Sequence, residues 1–211
     1  MEVVIVVCHP RSGSLCHAVA ARCAAELERL GRRVHRHDLY AEGLDPVLTT
    51  QELDRGWSFD EQIQRYGEEL LRSSGLVLVF PDWWGQPPAL LKGWLDRVLR
   101  PGVAYEFEPS LEPSRRRTPL LRGKKAAVFC TTDAEAEPAW IEPMWRDGVF
   151  AFCGIGESAV RVFADVRGSS YGGRQRWLDE AAKIVSRMWN TAAPPAPPAP
   201  PEPAAPAGHP G

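Results

Sequence analysis

The chain has 211 residues, 44% of them hydrophobic and 25% charged, with a formal net charge of −2. That near-neutral balance gives no electrostatic reason to expect nucleic acid or an anionic membrane as a partner, and no run of eighteen apolar residues offers a membrane span. Five cysteines without a CxxC spacing support neither a disulfide framework nor a zinc site.

In chain order, Val3–Cys8 reads as a short buried strand, with too little apolar length and no basic lead for a signal peptide. Ser14–Leu30 follows as a helix, its apolar stripe running through Leu15, Val19, Ala20, Cys23, Ala24, Leu27 and Leu30 to Gly31. Arg33–Leu39 is the second strand. Tyr40–Trp57, holding Asp45-Pro46, is a long connection expected to reach over a binding edge. Helix Asp60–Ser74, strand Leu76–Pro81, helix Pro88–Leu99 and strand Lys124–Thr131 come next. Helix Trp140–Cys153, a weaker strand Ser158–Ala164 and helix Gly173–Trp189 complete the pattern.

Such alternation of continuously apolar strands with helices predicts an α/β domain over residues 1–190. The expected form is a flavodoxin-like, five-stranded parallel sheet of order 2-1-3-4-5 with helices on both faces. From 191 to 211 the chain is rich in proline and alanine, a composition that predicts an extended, disordered tail. Unpaired cysteines and the missing leader point to the cytoplasm.

Ligands of such sheets sit outside the carboxyl ends of the strands, so the loops after Cys8, Phe80 and Cys130 carry the functional reading. His9-Pro10-Arg11-Ser12-Gly13-Ser14 places two serines and an arginine at a helix N-terminus, where unpaired N–H groups favour an anion. Ser14 serves equally as a plain N-cap, and neither GxGxxG nor GK[ST] occurs. The second loop, Pro81-Asp82-Trp83-Trp84-Gly85, brackets two indoles with a proline and a glycine, a construction suited to the edge and face of a planar heterocycle.

Here the residues acquire a resemblance. Pro81, Trp84, Pro88, Ala89, Leu91, Lys92, Gly93, Trp94, Arg97 and Val98 match P-x-x-W-x-x-x-PA-x-LKGW-x-[DE]-RV, and the run strongly resembles the flavodoxin-like NAD(P)H:quinone oxidoreductases of DT-diaphorase type. His9 with Ser14 resembles that family's H-x-x-x-x-S flavin-phosphate loop, Gly123 to Thr132 its third flavin loop, and Phe152-Cys153-Gly154-Ile155 a segment beyond it.

The resemblance implies one flavin per subunit, FAD or FMN, held by His9, Ser12, Ser14, Leu15, Pro81, Asp82, Trp83, Trp84, Gly85, Thr131 and Thr132. It also implies NAD(P)H as co-substrate, a homodimer, and an acceptor pocket bordered by Trp84, Tyr105 and Phe107. Lys92, Gly93, Trp94 and Arg97 are then structural. The family's T-T-G-G gives way here to Thr131-Thr132-Asp133-Ala134-Glu135, and glycine's freedom at φ > 0 goes with it. The family's tyrosine and histidine beyond that loop have no counterpart, Trp140 and Glu142 standing there instead, so no catalytic acid or metal ligand is assigned.

The expected activity is hydride transfer from NAD(P)H through the flavin to a quinone-like planar acceptor. Two alternatives are a regulatory or electron-carrier subunit without turnover, and a scaffold that has lost its flavin. Arg115-Arg116-Arg117 offers either a contact for a 2′-phosphate or a solvated loop.

Overall fold

The structure, a computed structural model, describes residues 1–107 and 117–190. Its elements run β1 (Glu2–Val7), α1 (Leu15–Arg29), β2 (Arg33–Asp38), α2 (Thr50–Arg55), α3 (Glu61–Arg72), β3 (Gly75–Pro81) and α4 (Ala89–Val98). After them come β4 (Tyr105–Phe107), β5 (Arg117–Pro119), β6 (Lys125–Thr131), α5 (Ile141–Pro143), a π-helical run Met144–Phe150, α6 (Ala151–Cys153), β7 (Glu157–Phe163) and α7 (Tyr171–Trp189). The proline-rich tail and Arg115-Arg116 lie outside the described residues.

Five strands form one all-parallel sheet in the order β2-β1-β3-β6-β7, which is the expected flavodoxin-like order. Because successive side chains of a strand point to opposite faces, β1 divides cleanly. Val3, Ile5 and Val7 pack with Val19, Cys23 and Leu27 of α1 and Val185 and Trp189 of α7. Val4 and Val6 pack on the other face with Ile63 and Tyr66 of α3 and Trp94 of α4. Both faces are therefore covered, which is why β1 and β3 read as continuous apolar runs.

The connection Tyr40–Trp57 does not reach over the binding edge. It contains α2, opened by a reciprocal capping box between Thr49 and Glu52, and it packs against α4. Pro46 lies so close that a Cβ on Gly93 would stand 2.3 Å from Pro46 Cβ. Arg97 fixes the arrangement, donating to the Asp45 carbonyl at 2.7 Å, Glu52 at 2.8 Å and Asp60 at 3.0 Å. Trp94 is fully buried and Lys92 pairs with Asp96 on the helix surface, so the long motif is chiefly a packing motif. The expected helix Trp140–Cys153 is present, but its middle is the π-helical run, and the antiparallel ribbon of β4 and β5 is an addition the sequence reading lacks.

Candidate functional site

The carboxyl ends of β1, β3 and β6 open into one cleft of about 1240 Å³. Its floor and walls come from the three expected loops and from one unexpected source, the first turns of α7. At one end stand His9, Arg11, Gly13 and Ser14, where α1 begins. Ser14 is the N-cap, accepting the His17 backbone N–H at 3.4 Å. Backbone N–H groups at the first helical positions, Leu15 and Cys16, have no intrahelical partner and face anions favourably. Ser12 is exposed and does not line the cleft.

The middle of the cleft is the loop after β3. Trp83 and Gln86 exchange backbone hydrogen bonds of 3.0 and 3.1 Å across a two-residue turn whose central residues are Trp84 and Gly85. Both have left-handed backbones, with φ of 59° and 75°. That is the twist of a type I′ hairpin, a place normally taken by Asn-Gly. A tryptophan there is strained, and its side chain is fully exposed, at 101% of the reference value. Strain concentrated beside a cleft is how a protein holds a ring where a ligand, not the fold, needs it. Gly85 is also required for closeness: a Cβ on it would approach Trp140 Nε1 to 3.1 Å.

Asp82 lies between the two halves. Its backbone N–H donates to the Thr131 carbonyl at 2.7 Å, and its Oδ2 accepts the Thr132 hydroxyl at 3.3 Å. Oδ1 is buried without a hydrogen-bond partner among the described residues. An unmet buried acceptor costs about 1–3 kcal/mol, and the residue that carries it lines the cleft. A planar heterocycle with a ring N–H, an adjoining apolar face and a phosphorylated side chain meets all three requirements of the cleft. The residues present therefore fit a flavin nucleotide.

The third loop compensates for its lost glycines by hydrogen bonding. Thr132 donates its N–H to Phe163 at 2.9 Å and accepts the Val166 N–H at 3.1 Å, while Ala134 accepts the Asp165 N–H at 2.8 Å. Asp133 pairs with Arg167 at 2.8 Å. No residue from Asp133 to Glu135 has a left-handed backbone, so glycine's special freedom is not needed in this version of the loop.

Of the residues implied by the resemblance, His9, Ser14, Leu15, Pro81, Asp82, Trp83, Trp84, Gly85, Thr131 and Thr132 line this cleft. Tyr105 and Phe107 do not. They sit on β4, with Tyr105 edge-on to Phe107 at 5.3 Å and to Phe152 at 5.0 Å. Cleft residues missed from the sequence include Tyr171, Arg174, Gln175 and Leu178, all on α7. The N-cap Ser170 was their only local signal, and nothing local tells which sheet edge a distant helix start will meet.

Cys16 reaches Thr131 Oγ1 at 3.3 Å inside the site, and burial pushes its thiol up to about 11. It is a protonated structural thiol, not a nucleophile. Among the described residues no group of His, Cys, Asp and Glu is placed to hold a metal ion, and no helix is long and apolar enough to cross a membrane.

A Haemophilus influenzae protein named an NAD(P)H oxidoreductase is 29% identical, over 87% of this chain and 93% of its own length. The human ribosyldihydronicotinamide dehydrogenase [quinone] is 31% identical, over 64% of this chain and 65% of its own. Among solved structures, the NAD(P)H:quinone oxidoreductase of Methanothermobacter marburgensis has the same fold, with a TM-score of 0.73 at 23% identity, covering 89% of this chain and 96% of that one. The sequence profile of the flavodoxin-like fold family matches residues 1–185, and the chain belongs to that family.

Proposed function

We propose that the chain is an oxidoreductase that takes hydride from NAD(P)H and delivers it, through bound FAD or FMN, to a quinone or similar planar acceptor. One observation carries the reading: a single cleft joins a helix N-terminus flanked by Arg11 and Ser14 to two indoles and the side chain of Asp82. The names of the relatives, NAD(P)H oxidoreductase and quinone dehydrogenase, support the same chemistry.

The flavin supplies the hydride chemistry when bound, and the chain binds, orients and shields. Ser14, Arg11 and the start of α1 hold phosphate. Asp82, Thr131 and Thr132, which line the same part of the cleft, would hold the ring edge. Trp83 and Trp84 wall the space that NAD(P)H and the acceptor occupy in turn. Proton transfer by a side chain of this chain is not required.

The chain acts as a homodimer in this reading. Tyr105 and Phe107, outside the cleft of their own chain and partly exposed, are available to close the cleft of a second copy. All five cysteines are free and buried, as suits the reducing cytoplasm.

Steady-state kinetics with NADPH or NADH and a benzoquinone test the proposal. The expected result is a family of parallel double-reciprocal lines, with released flavin identified as FAD or FMN by chromatography. Flavin-loaded protein that oxidises neither nicotinamide would favour the electron-carrier reading instead.

A further inference from the structure

Behind Ser14, outside the cleft lining, runs a hydrogen-bonded chain of side chains from α1 and β2. Ser14 Oγ lies 2.8 Å from His17 Nδ1, and His17 Nε2 lies 2.8 Å from Asp38 Oδ2. Asp38 ends β2 and is itself fixed, its Oδ1 accepting the backbone N–H groups of Tyr40 and Ala41, each at 3.2 Å. An ionised carboxylate only accepts hydrogen bonds, so His17 Nε2 carries a proton. The state of Nδ1 then decides what Ser14 can offer the cleft.

With neutral imidazole, Nδ1 is an acceptor and Ser14 donates its single hydroxyl hydrogen backwards to it. Only oxygen lone pairs then face an anion. With imidazolium, Nδ1–H donates to Ser14 Oγ, and the hydroxyl hydrogen is free to turn into the cleft. The cation also lies one helical turn from the anion site, compensated by Asp38. We propose that His17 is a positioning residue for the cofactor's phosphate, and that phosphate binding at Ser14 is coupled to uptake of one proton from solvent at His17.

The other titratable and charged groups facing His17 are few. His9, from the loop after β1, meets its ring edge-on at 6.3 Å, and Arg11 belongs to the same loop. Burial first, and then the nearness of His17 and Arg11, hold the His9 imidazole below its usual range. Two adjacent imidazolium ions are thereby disfavoured, and Asp38 stands at hydrogen-bond distance from the His17 ring. Loss of His17 protonation as pH rises returns the Ser14 hydrogen to Nδ1 and weakens the phosphate site.

The inference rests on the flavin reading above, and the test separates the two. FAD dissociation from the full-chain holoprotein is measured by recovery of flavin fluorescence from about pH 5.5 to about 8.5, a window centred near the ordinary histidine value. FAD is chosen because its diphosphate does not titrate there. The expected Kd rises roughly tenfold across the window in wild type, the effect of one linked proton shifted by about one pH unit. In His17→Gln the rise disappears, and in Asp38→Asn, which keeps the imidazole but removes its counter-charge, the midpoint moves to lower pH. A rise that survives in His17→Gln and vanishes in His9→Gln overturns the inference, as does a flat profile from wild type that holds FAD. A chain that holds neither FAD nor FMN at any pH overturns the flavin reading and this inference together, and one that holds FMN but not FAD overturns this inference alone.

Discussion

Trp84 and Asp82 show how single residues of the cleft are held at a cost to the fold. Trp84 occupies a left-handed turn position with its ring wholly in solvent, so replacing it with asparagine, the residue such turns prefer, relieves strain. Trp84→Asn is expected to stabilise the protein by about 1 kcal/mol, seen as a higher Tm in calorimetry, while lowering kcat/KM for the quinone. An unchanged kcat/KM would remove Trp84 from the acceptor wall. In the proposed function Asp82 places a carboxylate beside the flavin ring, where it opposes added negative charge. Asp82→Asn is expected to raise the flavin's two-electron potential by about 30 mV or more, equivalent to about 1.4 kcal/mol. Spectroelectrochemistry reads this directly, and an unmoved or lowered potential would contradict the placement of Asp82.

At the scale of elements, α4 is the joint on which the binding edge rests. Gly93→Ala would drive its Cβ to within 2.4 Å of the Pro46 backbone, a clash with main chain that nothing flexible relieves. A loss of roughly 1–3 kcal/mol is expected in urea unfolding, and an unchanged midpoint would contradict the packing of Pro46 on α4.

Arg97 and Glu52 form a buried pair, exposed only 5% and 9%. Burial alone would raise the Glu52 carboxyl, but hydrogen bonds from Arg97, Ser58 and Thr49 outweigh it and hold it at about 2. A carboxyl depressed in the folded state contributes stability above its unfolded value near 4.3 and loses it as pH falls toward the folded one. Wild type should therefore lose Tm steeply between about pH 4.5 and about pH 2. Arg97→Ala should cost about 3–5 kcal/mol at neutral pH and flatten that acid slope. If the slope is the same in both proteins, Glu52 is not its source.

Across the whole molecule, what was legible in the sequence follows from how local each cause is. Strands β1, β3 and β6 were readable because a parallel sheet buried on both faces demands unbroken apolar runs. Three of the cleft's loops were readable because the carboxyl-edge rule names them once the strands are placed. Tyr40–Trp57 was misjudged because its position depends on Arg97, more than forty positions away, reaching Asp45 O and Glu52. His17 and Asp38 were invisible for the same reason: each is unremarkable in its own segment, and only the β1–β2 pairing brings them to 2.8 Å.

The resemblance supplied what periodicity could not, a chemical identity for the ligand. It also placed Tyr105 and Phe107 at a cleft that their own chain does not bring them to.

The central claim is that this cleft holds a flavin that accepts hydride from NAD(P)H and gives it up to a planar acceptor. An anaerobic visible absorption spectrum of the purified full chain, taken before and after NADPH and again after a quinone, tests it most directly. Flavin bands that bleach with NADPH and return with the quinone are the predicted result. A protein that stays colourless after incubation with FMN and FAD, or whose bands ignore NADPH and NADH alike, would contradict it.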